Sequence, residues 1–174
     1  MMLMPMTAAD FQAFAARSVA GYARDIARTY GLSEALAFES ASADFNDLLA
    51  EGLDTEGHWF YCLCIDEGVE VGSLWVGVVE DPPLPARLFI YDLEIHQAFR
   101  RQGLSRQALS AVEAWAIERG IRRLELNVFA DNHGARRLYE TSGMAVCEMT
   151  MGKDLQPADV CPVQTGPVAE STLP

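Results

Sequence analysis

The chain has 174 residues, half of them apolar and 22% charged, which suits one globular domain with a real core and excludes a fully disordered chain. No run of roughly 18 apolar residues exists, and Met1 to Met6 lacks a charged segment followed by an apolar stretch, so the expectation is a soluble cytoplasmic protein without a membrane span. The formal net charge of −12 resides entirely in residues 1–99, while eight of the twelve arginines lie between Arg100 and Arg137, too few and too local for nucleic-acid binding.

From Thr7 the pattern is helical. Thr7 and Asp10 are spaced as a capping box, Phe11, Phe14, Ala15, Val19 and Tyr22 recur at helical intervals, and Gly31 ends the run. Ser33 opens a second helix whose apolar residues are Leu36, Phe38, Phe45, Leu48 and Leu49, closing near Gly52. Trp59 to Ile65 and Val71 to Val79 read as a hairpin around Asp66-Glu67-Gly68. The prolines of residues 81–85 require a loop, and Arg87 to Ile95 is a third strand. A helix follows Gly103 and stops at Gly120, Arg123 to Phe129 alternates as a strand, Asn132 to Gly143 is helical, and Met144 to Leu155 is predicted as a last strand. Residues 156–174 hold four of the eight prolines and no apolar periodicity, so they are expected to form a disordered tail after a 1–155 domain. The order α-α-β-β-β-α-β-α-β predicts an α/β sandwich with a mixed sheet.

Cys62, Cys64, Cys147 and Cys161 make no disulfide framework in a domain of this size, and no Cys-x-x-Cys occurs. Cys62 and Cys64 read as small buried apolar side chains, and no metal is expected. His58, His96 and His133 read as structural or exposed, and Trp59, Phe60, Trp75, Phe89 and Trp115 as core.

The most specific stretch is Arg100-Arg101-Gln102-Gly103-Leu104-Ser105, set between a strand and a helix. A helix start leaves about four N–H groups without intrahelical partners. Gly103 permits close backbone approach, and Arg100, Arg101 and Arg106 add positive charge, so a diphosphate fits. Around it stand Asp92-Leu93-Glu94-Ile95, Asn127 to Asn132, and Arg137-Leu138-Tyr139-Glu140 with Gly143.

This set resembles the GNAT superfamily of N-acetyltransferases. Arg100 to Ser105 is similar to the family's Q/R-x-x-G-x-G/A loop, with Ser105 where Gly or Ala is usual. Asn132, Ala135, Leu138, Tyr139 and Gly143 match its N-x-x-A-x-x-L-Y-x-x-x-G helix, with Met144 in place of the usual Phe, and Met151 to Leu155 resembles a common ending. The resemblance implies a mostly antiparallel mixed central sheet flanked by helices, with a short N-terminal strand left open. It implies acetyl-CoA as acyl donor, held at the diphosphate by Arg100, Arg101, Gln102, Gly103, Leu104, Ser105 and Arg106. The pantetheine arm would pair with Leu93, Glu94 and Ile95, where this strand splays from the next, and Asn132 would reach the acetyl end. Tyr139 would be the general acid and also touch the cofactor. The base is left open between Glu94, Asp92 and water or a residue elsewhere; some relatives carry a glutamate where Asn127 stands, and asparagine cannot serve as that base.

The implied reaction is acetyl transfer to a small-molecule or peptide primary amine, cationic by the charge partition. A non-catalytic acyl-CoA sensor of the same fold is the alternative. A mononucleotide site lacks the Gly-Lys-Ser/Thr it needs. The oligomeric state is open, a homodimer included.

Overall fold

The structure, a computed structural model, describes residues 1–153. The first strand, β1 (Met2–Pro5), is the short one the resemblance left open. It leads through Thr7 into α1 (Ala8–Tyr30), where Thr7 and Asp10 cap each other reciprocally and Gly31 closes the helix in the left-handed region. Helix α2 (Glu34–Leu48) starts at the Ser33 cap, as expected, but its buried face differs from the prediction. Ala37 and Ala41 are fully buried, whereas Leu36, Phe38 and Leu48 are exposed. The reason is packing distance: α2 lies against Ala23 and Ile26 of α1, and small side chains let the two helices approach closely.

Strands β2 (His58–Ile65), β3 (Val69–Val79) and β4 (Arg87–Ile95) form an antiparallel meander, with β1 on the β2 edge. Helix α3 (Leu104–Glu118) is the crossover that returns the chain to β5 (Leu124–Leu126), parallel to β4. Then α4 runs from His133 to Thr141. The sheet order is β1-β2-β3-β4-β5. One face packs Tyr61, Leu63, Leu74, Val76, Leu88 and Ile90 against Leu104, Ala108, Leu109, Val112 and Trp115 of α3. The other packs Phe60, Cys62, Cys64 and Trp75 against Phe14 of α1, so both cysteines are buried apolar groups as read.

Two predicted strands fall short. β5 is three residues long, against Arg123 to Phe129 expected, and its ladder to β4 ends with Leu126 opposite Ile90. Residues 145–153 lie outside the compact unit that ends at Met144 and contain no strand. An alternating pattern supplies a face but not a pairing partner, and both are needed. The expected domain end at Leu155 and the tail from residue 156 lie outside the described residues. No helix among the described residues is long and apolar enough to cross a membrane.

Candidate active site

The site is organised by one extra residue in β4. Leu88 and Ile90 face α3, so Phe89 and Tyr91 face α1. At Tyr91 the register against β3 slips: Ile90 pairs with Val76 and Asp92 with Trp75. Tyr91 is therefore a bulge, and the alternation inverts beyond it. Leu93 and Ile95 now take the α3 face, while Asp92 and Glu94 turn towards α1. The parallel ladder to β5 ends at the same place, with Ile90 opposite Leu126. From Tyr91 to Ile95, β4 keeps β3 on one side and has no strand on the other among the described residues. Gly72 fits this crowding on the β3 side, since a Cβ there would lie 2.0 Å from the Glu94 carbonyl oxygen.

The two candidate carboxylates share a face, as predicted, but not an environment. Asp92 is half-buried and accepts a 2.7 Å hydrogen bond from Ser18 Oγ of α1. Burial pushes its carboxyl up to about 6, with the Glu94 charge and against the Ser18 hydrogen bond and Arg17. Glu94 instead stands between two guanidinium groups, Arg17 at 4.0 Å and Arg100 at 3.3 Å. Tyr139, on α4, is half-buried beside the α3-side core, and burial followed by the Asp92 charge raises its phenol above the usual range. A phenol so placed stays protonated and is a donor at neutral pH.

The arginine turn runs straight into the start of α3. Arg101 and Gly103 both adopt left-handed backbone, φ 65° and 77°, and α3 starts at Leu104 with no side-chain cap. Left-handed backbone at a non-glycine residue costs roughly 1–2 kcal/mol. Gln102 is exposed and Ser105 half-buried in the first turn. Arg100 Nε donates to the Ile95 carbonyl at 2.8 Å, tying the turn to β4, and Arg106 donates to Thr141 Oγ1 of α4 at 3.1 Å. A cleft of about 610 Å³ lies beside Gly103, Arg106, Gln107 and Ser110. Asn132 is the N-cap of α4, its Oδ1 accepting from Ala135 N at 3.1 Å. That fixes the helix carrying Tyr139.

Arg17 and Ser18 were missed in the sequence reading. The available signal was a serine four residues after Phe14 and four before Tyr22, a polar residue on an apolar stripe. Higher on the same helix, Tyr22 meets the ring of Phe129, and Arg28 pairs with Asp131 and Asp25, so α1 holds the segment after β5. His58 accepts from Trp75 Nε1 at 3.0 Å and is structural. Asp10, Cys62 and Glu70 place one donor atom each within 4.8 Å. Burial and then the Glu70 charge push the Cys62 thiol up to about 12, a protonated group rather than a ready thiolate.

Comparison with known proteins identifies the family and the fold. Residues 21–144 match the model of the acetyltransferase (GNAT) family. The chain is 34% identical over 151 residues to the uncharacterized N-acetyltransferase YdgE of Bacillus subtilis, covering 86% of this chain and 95% of that protein. It is also 34% identical over 154 residues to YycN of the same organism, covering 88% and 98%. The crystal structure of YycN superposes with a TM-score of 0.84 over 89% of this chain and 98% of its own. A GCN5-related N-acetyltransferase from Ralstonia eutropha, 21% identical, shares the fold at a TM-score of 0.64 over 87% and 97%. This chain belongs to the GNAT family of N-acetyltransferases.

Proposed function

We propose that the protein transfers an acetyl group from acetyl-CoA to the primary amine of a cationic acceptor, with Asp92 as general base and Tyr139 as general acid. The observation that carries the reading is the Tyr91 bulge. One extra residue frees a strand edge for the donor and turns Asp92 into the space beneath α1.

Members of the family use acetyl-CoA as acyl donor. The residues here suit it: the turn from Arg100 to Arg106 offers N–H groups and positive charge to a diphosphate, and the free edge at Leu93–Ile95 offers backbone groups to an amide-bearing arm. When bound, its thioester supplies the acetyl group. Asp92 takes the proton that an ammonium must lose before its nitrogen can attack. An acceptor near neutral pH arrives protonated, and a carboxyl with a pKa of about 6 is ionised then, yet more basic than an ordinary aspartate. Tyr139 donates to the departing sulfur. A backbone N–H of the free β4 edge polarises the acetyl carbonyl as charge grows on its oxygen. Glu94, paired with Arg17 and Arg100, is assigned to holding the turn and α1 rather than to taking the proton.

The cationic acceptor follows from charge. Among the described residues, Asp44 on α2 and Asp92 on β4 stand without an arginine partner of the kind that Asp25 and Glu94 have, and residues 1–99 hold the whole negative excess. Glu80 and Asp81 act from farther away, since their loop precedes β4 and Asp92 is five residues along that strand from Arg87, roughly 17 Å. A cleft of one sign concentrates the opposite charge and speeds encounter at low salt. The test mixes protein, acetyl-CoA and matched mono- and polycationic amines, and follows free thiol across an ionic-strength series. Polyamines, aminoglycosides or basic peptides should give the highest kcat/KM, falling as salt rises. A flat salt response, or preference for an anionic acceptor such as glutamate, contradicts the proposal.

A further inference from the structure

Ser18 lies in the middle of α1, on the stripe that carries Phe11 two turns and Phe14 one turn before it and Tyr22 one turn after. Serine is a poorer helix former than alanine, and a hydroxyl on an apolar face needs a partner. The local partner is the carbonyl four residues back, and the molecule shows that solution in α2, where Ser42 Oγ donates to the Phe38 carbonyl at 2.7 Å. Ser18 does not take it. Its hydroxyl crosses from α1 to the sheet and donates to Asp92 Oδ2, 74 residues away, directly after the bulge.

Resting on the reading of Asp92 as base, we infer that Ser18 is its positioning residue: the hydroxyl fixes the carboxylate by Oδ2, leaves Oδ1 to the acceptor nitrogen or its water, and sets how readily Asp92 takes a proton. A hydrogen bond donated to a carboxylate favours its ionised form, so Ser18 keeps a half-buried base ionised at neutral pH. When Asp92 takes the proton, the same hydroxyl can rotate and accept. The other groups facing Asp92 are Arg17 from α1, Glu94 from β4 and the Tyr139 phenol from α4, while Trp75, opposite it on β3, is uncharged. Arg17 opposes the Glu94 charge, which leaves Ser18 as the neutral hydrogen-bond donor on the carboxylate through which basicity is adjusted.

The test is the pH profile of kcat/KM for the wild type, Ser18→Ala, Ser18→Thr and Asp92→Asn, with carbon-13 titration of the Asp92 carboxyl in the full chain as a readout independent of turnover. Ser18→Ala should move the acidic limb, and the carboxyl titration with it, up by about one pH unit. The rate above pH 9 should stay within roughly threefold of wild type, and the KM for acetyl-CoA should not change. Ser18→Thr keeps the hydroxyl and should restore the wild-type limb. A Ser18→Ala profile lowered evenly at every pH, with an unmoved carboxyl titration, would overturn the inference and make Ser18 a structural tie between α1 and β4. The base reading fails separately: it falls if Asp92→Asn retains the wild-type acidic limb, and it stands if that limb vanishes while Ser18→Ala leaves it in place.

Discussion

Replacing Tyr139 by phenylalanine is expected to lower turnover by roughly 10²–10⁴, the usual contribution of a positioned proton donor. The ring body packs against the α3-side core and is preserved, so the fold should be unaffected. Affinity for acetyl-CoA should change little, because the grip is assigned to the turn at Arg100–Arg106 and the ring body of Tyr139 is kept. Burial and the neighbouring Asp92 charge keep that phenol protonated, so the substitution removes a donor and not a nucleophile. Calorimetry on the variant with acetyl-CoA, beside thiol release under saturating acceptor, separates the two effects. Turnover within threefold of wild type would return Tyr139 to a packing role.

Asp92→Asn should have two effects of opposite sign. Turnover should drop by a comparable roughly 10²–10⁴, since an amide cannot take the ammonium proton. Stability at pH 7–8 should rise, by on the order of 1–3 kcal/mol. Burial pushes the carboxyl from its ordinary 3.8 up to about 6 in the folded chain, so between these values the folded state holds a proton that the unfolded state has released. The contribution of Asp92 to stability is therefore intact below about pH 4, declines as pH rises through 6, and stays lost above it. The melting-temperature advantage of Asp92→Asn should accordingly be small near pH 4 and full by pH 7. Asparagine still accepts from Ser18, so the tie between α1 and β4 survives. An equal advantage at all pH values would show that Asp92 is not held in its ionised form at a cost.

Much of this was visible in the residues. The capping pairs at Thr7 and Ser33, the bounds of β4 and the helix after Gly103 all follow from local chemistry, and local chemistry decided them. The bulge was legible too: Leu88 and Ile90 set one phase and Leu93 and Ile95 the other, so the alternation breaks at Tyr91-Asp92. What resisted reading depended on neighbours. β5 stops at Leu126, where its ladder to β4 ends, and no pattern within 123–129 records that end. The buried face of α2 is made of alanines, which hydrophobic periodicity undervalues beside Leu36 and Phe38. Asp92 and Glu94 are one alternation apart and equivalent by spacing. Only the distant Ser18, Arg17 and Arg100 tell them apart.

The central claim is that the bulge at Tyr91 opens the donor site and aims the base. It is tested most directly by a crystal structure with acetyl-CoA bound. The account predicts the diphosphate on the N–H groups of residues 101–106, the pantetheine arm hydrogen-bonded along Leu93–Ile95 in the gap left by β5, and the thioester between Tyr139 and the face that carries Asp92. Acetyl-CoA bound away from that strand edge, or β4 paired to β5 through Ile95 in the complex, would contradict it.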